Sequence, residues 1–266
     1  MPSEDLFQAQ RLFEAHDAMQ LELSTSSSTS MSASPPLCQQ IRDQYRRVHP
    51  LYAALTDKDA WPGGDEIARG CAPSSLGMWR AHADVEVPPA ELAGVLVQPG
   101  LWVPLLLPRA SVNVHVHDAF RCDATIVVPS SVSRALDVRY VVSQTLYRTQ
   151  RSLLVYIEDA EASGAKDAKF GQHLLAVRAG RPEEAKFAHV VVESGSCVEF
   201  TRYFGKVQEY AAYMFLGRML PRLQRAAAQF YMCDSELMHW KAAFQRKTTV
   251  VRWVQDTFSA GGPVLE

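Results

Sequence analysis

The stretch 137–232 constrains the fold more than any other part of the chain. Four strand-like runs, 137–148, 152–160, 171–179 and 187–204, follow one another there, the last folding back at Ser194-Gly195-Ser196. β-Branched and aromatic residues recur in the runs, and Gly, Pro or charged clusters fill the breaks, as expected of antiparallel strands joined by short connections. A long helical pattern follows. Tyr213, Leu216, Leu220, Leu223, Ala227 and Phe230 recur at spacings of three and four, while Arg218, Arg222, Arg225 and Gln229 take another side. Such a helix buries one side and wets the other, so it is expected to lie across one face of the sheet. Pro221, four residues after Gly217, removes a backbone hydrogen bond and predicts a kink.

Upstream segments add strands and flanking helices. Residues 79–87 alternate, with Trp79, Ala81, Ala83, Val85 and Val87 on one side and Arg80, His82, Asp84 and Glu86 on the other, which predicts a strand with one wet face. Pro88 and Pro89 end it and open a short apolar helix over 91–97, weakened by Gly94. Residues 111–118 and 121–128 read as two further strands around a tight turn, followed by a polar loop at 129–136. Near the N-terminus, 4–22 predicts a helix with Leu6, Phe7, Leu12, Phe13 and Met19 on a loose apolar side. The Ser/Thr-rich run 24–36 cannot bury enough apolar area to offset its ordering entropy and reads as a linker. A helix is expected over 37–55, with Pro50 kinking or ending it, then a turn-rich segment to residue 77. A last helix is expected over 235–258, capped by Asp234 and stopped by Gly261-Gly262-Pro263. These patterns divide the chain into a helix (1–23), a linker (24–36), a lead-in (37–77), a main domain (78–232) and a C-terminal helix with its tail (233–266).

The charge, −2 overall from 27 Lys+Arg against 29 Asp+Glu, gives no concentrated basic face and argues against nucleic acid as a partner. Five cysteines without a Cys-x-x-Cys pair fit reduced thiols and a cytoplasmic location. The most apolar run, 101–107, is short and broken by Pro104, so no transmembrane helix is expected. His115 and His117 stand two apart, which on a strand puts both imidazoles on one face, as a metal site requires. Arg121 and Cys122 occupy the positions where a cupin-type Glu is needed, however, and no third ligand is evident. There is no Gly-x-Ser-x-Gly elbow, phosphate-cradling Walker loop or dinucleotide glycine motif. The chain is therefore not expected to be an enzyme or to need a cofactor or metal. Aromatic residues remain: Trp102, Phe120, Tyr140, Tyr147, Tyr156, Phe200 and Tyr203 fall on or beside predicted strands, where a sheet closed by a helix encloses an apolar cavity.

Short motifs recur in a telling order. Trp79-Arg80 enters the alternating strand, and Val87-Pro88-Pro89-Ala90-Glu91-Leu92 follows it. Next come Arg151 with Ser152-Leu153-Leu154-Val155-Tyr156, then Leu174-Leu175-Ala176-Val177-Arg178-Ala179, then Val190-Val191-Val192-Glu193-Ser194-Gly195. This order, over roughly 78–228, resembles the START and START-like lipid-binding domains of the helix-grip superfamily. Two departures stand out: Ser152 replaces the usual Asp, and Gly205 lacks the following Pro, with Tyr210 the nearest aromatic.

The resemblance implies an α+β helix-grip fold, a curved antiparallel sheet closed by a long C-terminal helix, with extra helices at both ends. It implies noncovalent binding, transfer or sensing of a lipid or other hydrophobic molecule, with transient membrane contact. The ligand-lining residues would be Trp102, Tyr140, Tyr156, Arg178, Phe200, Tyr213, Leu216 and Leu220, with Arg178 anchoring a polar head group through its guanidinium. The 161–169 loop and the Gly217/Pro221 kink would form a lid. Two other readings stay open. One is a noncatalytic interaction module with a filled core that recruits a protein partner through its flanking helices. The other is a helix-grip enzyme using His115 and His117.

Overall fold

A computed structural model describes residues 1–25, 34–56, 67–71, 77–107, 109–130, 137–150, 152–161, 170–179, 184–192, 217–233 and 235–259. Among them, eight strands form one antiparallel sheet: β1 (Ile67–Cys71), β2 (Gly77–Val85), β3 (Ser111–Val116), β4 (Arg121–Val128), β5 (Val138–Arg148), β6 (Ser152–Asp159), β7 (Gln172–Ala179) and β8 (Ala185–Val192). Their order is β1-β2-β8-β7-β6-β5-β4-β3. The meander from β3 to β8 thus ends beside β2, the first strand of the predicted main domain.

Helices cover both faces. On the inner face lie α4 (Pro89–Leu96), α5 (Pro99–Leu106), α6 (217–231), α7 (Met238–Arg246) and α8 (Thr248–Ser259). On the outer face lie α1 (Ser3–Gln8), α2 (Leu12–Thr25) and α3 (Pro35–Thr56). The two-residue period of a strand sorts the side chains. Leu153, Val155, Ile157, Leu175 and Val177 join the inner cluster with Leu92, Leu220 and Phe230. Their alternates Leu154, Tyr156, Leu174 and Ala176 join Leu12, Val48, Leu51 and Leu55 on the outer side. This is why β6 is buried at six successive positions while β4 alternates, with Cys122, Ala124 and Ile126 buried between more accessible neighbours. The architecture is the α+β helix-grip arrangement.

The helix pattern of the closing segment holds where it is described. Leu220, Leu223, Ala227 and Phe230 are buried, whereas Arg218 and Arg225 are exposed and Arg222 and Gln229 are half-buried. Gly94 permits the close approach of α4 to α6, since a Cβ there would stand 2.9 Å from Phe230 Cε1 and 3.1 Å from Phe244 Cε1. The residue that weakens α4 as a helix is the one that lets it pack.

Several expectations need correction. The single N-terminal helix is two, broken where Gln10 takes φ 61° and its carbonyl accepts the Arg148 N–H at 2.9 Å. Its apolar side packs within this chain, where Leu12 and Met19 are fully buried. The helix predicted over 37–55 starts at Pro35 and runs through Pro50 to Thr56, because packing of Val48, Leu51 and Leu55 on the outer face outweighs the lost hydrogen bond. The turn-rich segment contains β1, and the Pro-interrupted apolar run is α5. The last helix is α7 and α8, separated at Lys247, and α7 begins at Met238 rather than 235. The fold-back at 194–196, the lid loop at 162–169 and the Asp234 cap lie outside the described residues.

Candidate functional site

The inner face is the candidate grip. Under β6–β8 it is solid: Leu153, Val155, Leu175, Val177 and Phe187 are buried against Leu92 and Leu96 of α4 and against Leu223, Ala227 and Phe230 of α6. Toward the β3–β5 edge the same apolar surface is only half-buried, at Val112, Val114, Val128, Tyr140 and Phe170. Tyr140 and Phe170 meet edge to face there, with ring centroids 5.4 Å apart. Phe170 is held by its own N–H, which donates to Asp159 Oδ1 at 2.8 Å.

Few polar groups enter this face; several are satisfied within it, whereas Arg148 Nε, beside Trp253, is buried without a hydrogen-bond partner. Trp102 Nε1 donates to Gln144 Oε1 at 3.1 Å, Gln144 Nε2 donates to the Val97 carbonyl at 3.2 Å, and Gln98 Nε2 donates to the Gly94 carbonyl at 2.7 Å. These bonds tie α4 and α5 to β5. His173 is buried beside Phe170, whose carbonyl lies 3.0 Å from Nε2, so the ring carries its proton there. Burial disfavours the imidazolium and pulls its pKa down to about 4, outweighing the opposing effects of that carbonyl and of Asp159.

The outer face differs in chemistry. Between α3 and strands β4–β6 lies an open cleft of about 560 Å³. Several of its polar groups are paired: Arg47 with Glu158 at 2.7 Å, Tyr156 hydroxyl donating to Glu158 at 2.9 Å, Tyr147 hydroxyl donating to Gln44 at 2.8 Å, and His117 with Asp123 at 2.9 Å. Burial first and the Glu158 charge second push the Tyr156 phenol well above its ordinary range. A second open cleft, of about 570 Å³, lies between α2, α3 and the β5–β6 turn and contains Arg178.

The sheet therefore divides the residues expected to share one cavity. Trp102, Tyr140 and Leu220 belong to the inner cluster. Tyr156 and Arg178 belong to the outer face, because each has the even-numbered phase that pairs Thr145↔Tyr156↔Leu174 and Ser152↔Arg178 across β5–β7. An anchoring role for Arg178 beneath α6 is corrected on this ground. Trp102 sits on α5, beside the sheet, and its indole N–H is occupied by Gln144. Phe200, Tyr213 and Leu216 lie outside the described residues. Val112, Val114, Val128 and Phe170 were missed, although the alternation in 111–118 carried the signal for two of them.

His115 and His117 do share a face, with ring centroids 5.0 Å apart. His117 is engaged by Asp123, and among the described residues no three of His, Cys, Asp and Glu gather as a metal-binding group. No described helix is long and apolar enough to cross a membrane.

Neither the family models nor the curated proteins contain a match to this sequence. Solved structures do match. The human StAR-related lipid transfer protein 5 aligns at 13% identity over 74% of this chain and 99% of that one, with a TM-score of 0.51. Human STARD10 aligns at 6% identity over 84% of this chain and 91% of that one, with a TM-score of 0.50. The fold is START-like.

Proposed function

We propose that the chain binds a lipid or other hydrophobic small molecule noncovalently on the inner face of its sheet, toward the β3–β5 edge. The observation that carries this reading is the apolar strip Val112, Val114, Val128, Tyr140 and Phe170, half-buried on a face that is closely packed under β6–β8. An apolar wall with few polar groups suits a hydrophobic ligand, and the START-like fold and the printed name of the human lipid transfer protein support the same reading. The binding is noncatalytic and needs no cofactor. Exposed Tyr231, Met232 and Met238 near the α6–α7 junction suit brief contact with a membrane during loading, and the free thiols of Cys38, Cys122 and Cys233 suit the cytoplasm.

Native mass spectrometry and lipid extraction of the purified full chain test the proposal. A co-purified lipid is expected, and Tyr140→Arg, which sets a charge in the strip, is expected to reduce its occupancy at least tenfold. A ligand-free protein that takes up no lipid from a mixed extract would sink it. A second reading, an interaction module with a filled core, is favoured by the solid packing of Leu223, Ala227 and Phe230 under α6. The ligand-free outcome is the one it expects.

A further inference from the structure

On the outer face, Ser152, Arg178 and Lys186 form one cross-strand row over β6, β7 and β8. Arg178 thus has a second cation directly beside it, and like charges in that relation destabilise a sheet. The acid that closes the row, Asp84 on β2, lies beyond Lys186. Arg178 is half-buried, and its guanidinium has neither a hydrogen bond nor an ion pair among the described residues. A half-buried guanidinium on an open cleft, with no counter-ion among the described residues, is free to take a bidentate oxyanion from outside the chain.

The cleft supplies the rest of a site. Its roughly 570 Å³ is lined by Arg178, by the hydroxyl-bearing side chains of Ser152 and Tyr52, and by the Phe13 ring. Neither hydroxyl is engaged by another described residue. Phe13 and Tyr52 stand 4.3 Å apart between ring centroids and make an aromatic wall of the same cleft. Glu14 is also on the cleft; its Oε1 lies 3.3 Å from Arg11 Nη2, while its Oε2 is buried without a hydrogen-bond partner. We propose that this cleft binds an organic oxyanion, a carboxylate or phosphate monoester on an apolar group, with the oxyanion on Arg178 and the apolar group against Phe13. A free metabolite and an acidic lipid headgroup both present that chemistry. The site lies across the sheet from the proposed grip and stands or falls separately from it.

Calorimetric titration of the full chain tests it with phenyl phosphate, phenylacetate, inorganic phosphate and benzyl alcohol, alongside flotation with vesicles of phosphatidic acid in phosphatidylcholine. At least one aryl oxyanion is expected to bind at least tenfold more tightly than inorganic phosphate and benzyl alcohol. Arg178→Gln should weaken it at least tenfold. Ser152→Asp, which puts a carboxylate directly opposite Arg178, should do the same by supplying an internal counter-ion; if that variant does not fold, Arg178→Gln decides alone. Vesicle binding that needs Arg178, without binding of either aryl oxyanion, assigns the anion to a lipid headgroup. No binding in any arm, or binding that Arg178→Gln leaves unchanged, overturns the proposal.

Discussion

The inner and outer faces of the sheet are made from alternate residues of the same strands, yet they differ in what closes them. On the inner side, aliphatic and aromatic side chains from β2 and β4–β8 meet five helices in one apolar cluster, where Trp102 and Gln144 are bonded to each other and to backbone. On the outer side, helices α1–α3 meet a smaller cluster flanked by two open clefts whose rims carry charges and hydroxyls. An inner face closed by close packing depends on shape, whereas the outer face depends on pairing of polar groups near water. The two faces should therefore respond differently to mutation.

The largest expected effect is on the inner side. Phe230→Ala removes a fully buried ring between α4 and α7 and is expected to cost about 3–5 kcal/mol in denaturant unfolding. A cost below about 1 kcal/mol would break the contrast by showing a loosely closed grip. Next comes pH. Because the folded state holds His173 neutral to about pH 4 while the unfolded chain takes up the proton near its ordinary value, stability present above about pH 6.5 is lost as pH falls toward 4. The loss attributable to this group is about 3 kcal/mol, read as the difference between the stability profiles of the parent chain and His173→Gln.

Smaller effects sharpen the comparison. Gly100→Ala places a Cβ 2.4 Å from Trp240 Cη2, where a rigid ring on α7 must move, and is expected to cost about 1–3 kcal/mol. On the outer face, Tyr147→Phe deletes the hydrogen bond to Gln44 beside an open cleft, where water can replace it, for a cost of about 0.5–1.5 kcal/mol. Thermal unfolding of these two variants should rank them in that order. A reversal would mean that the polar side contributes more to closure than its geometry indicates.

Much of the inner face was legible because periodicity reports burial directly. Leu220, Leu223, Ala227 and Phe230 repeat at helical spacing, and Ala81, Ala83 and Val85 alternate, so each set named its buried side. The outer face carried a signal too. The unbroken apolar run Leu153-Leu154-Val155-Tyr156-Ile157 is what a strand covered on both faces looks like, and it pointed to a second helical layer that the N-terminal segment provides. Trp102 was harder to place, because a Pro-interrupted apolar run does not distinguish strand from short helix; contact with Gln144, 42 residues away, fixes it. Arg178 could be placed on a strand but not on a face, since that requires the β6–β7 register.

By itself, the sequence determined the elements that follow from local spacing: the antiparallel meander, the amphipathic closing helix, and the absence of recognisable catalytic motifs. The tertiary structure alone decided which face each strand residue joins and which helices cover it. The reason is physical: spacing along a chain sets the relative phase of side chains, but only pairing between strands and the docking of distant helices gives that phase an absolute direction. That direction moved Tyr156 and Arg178 out of the grip and left Arg178 on an outer cleft without an ion pair among the described residues.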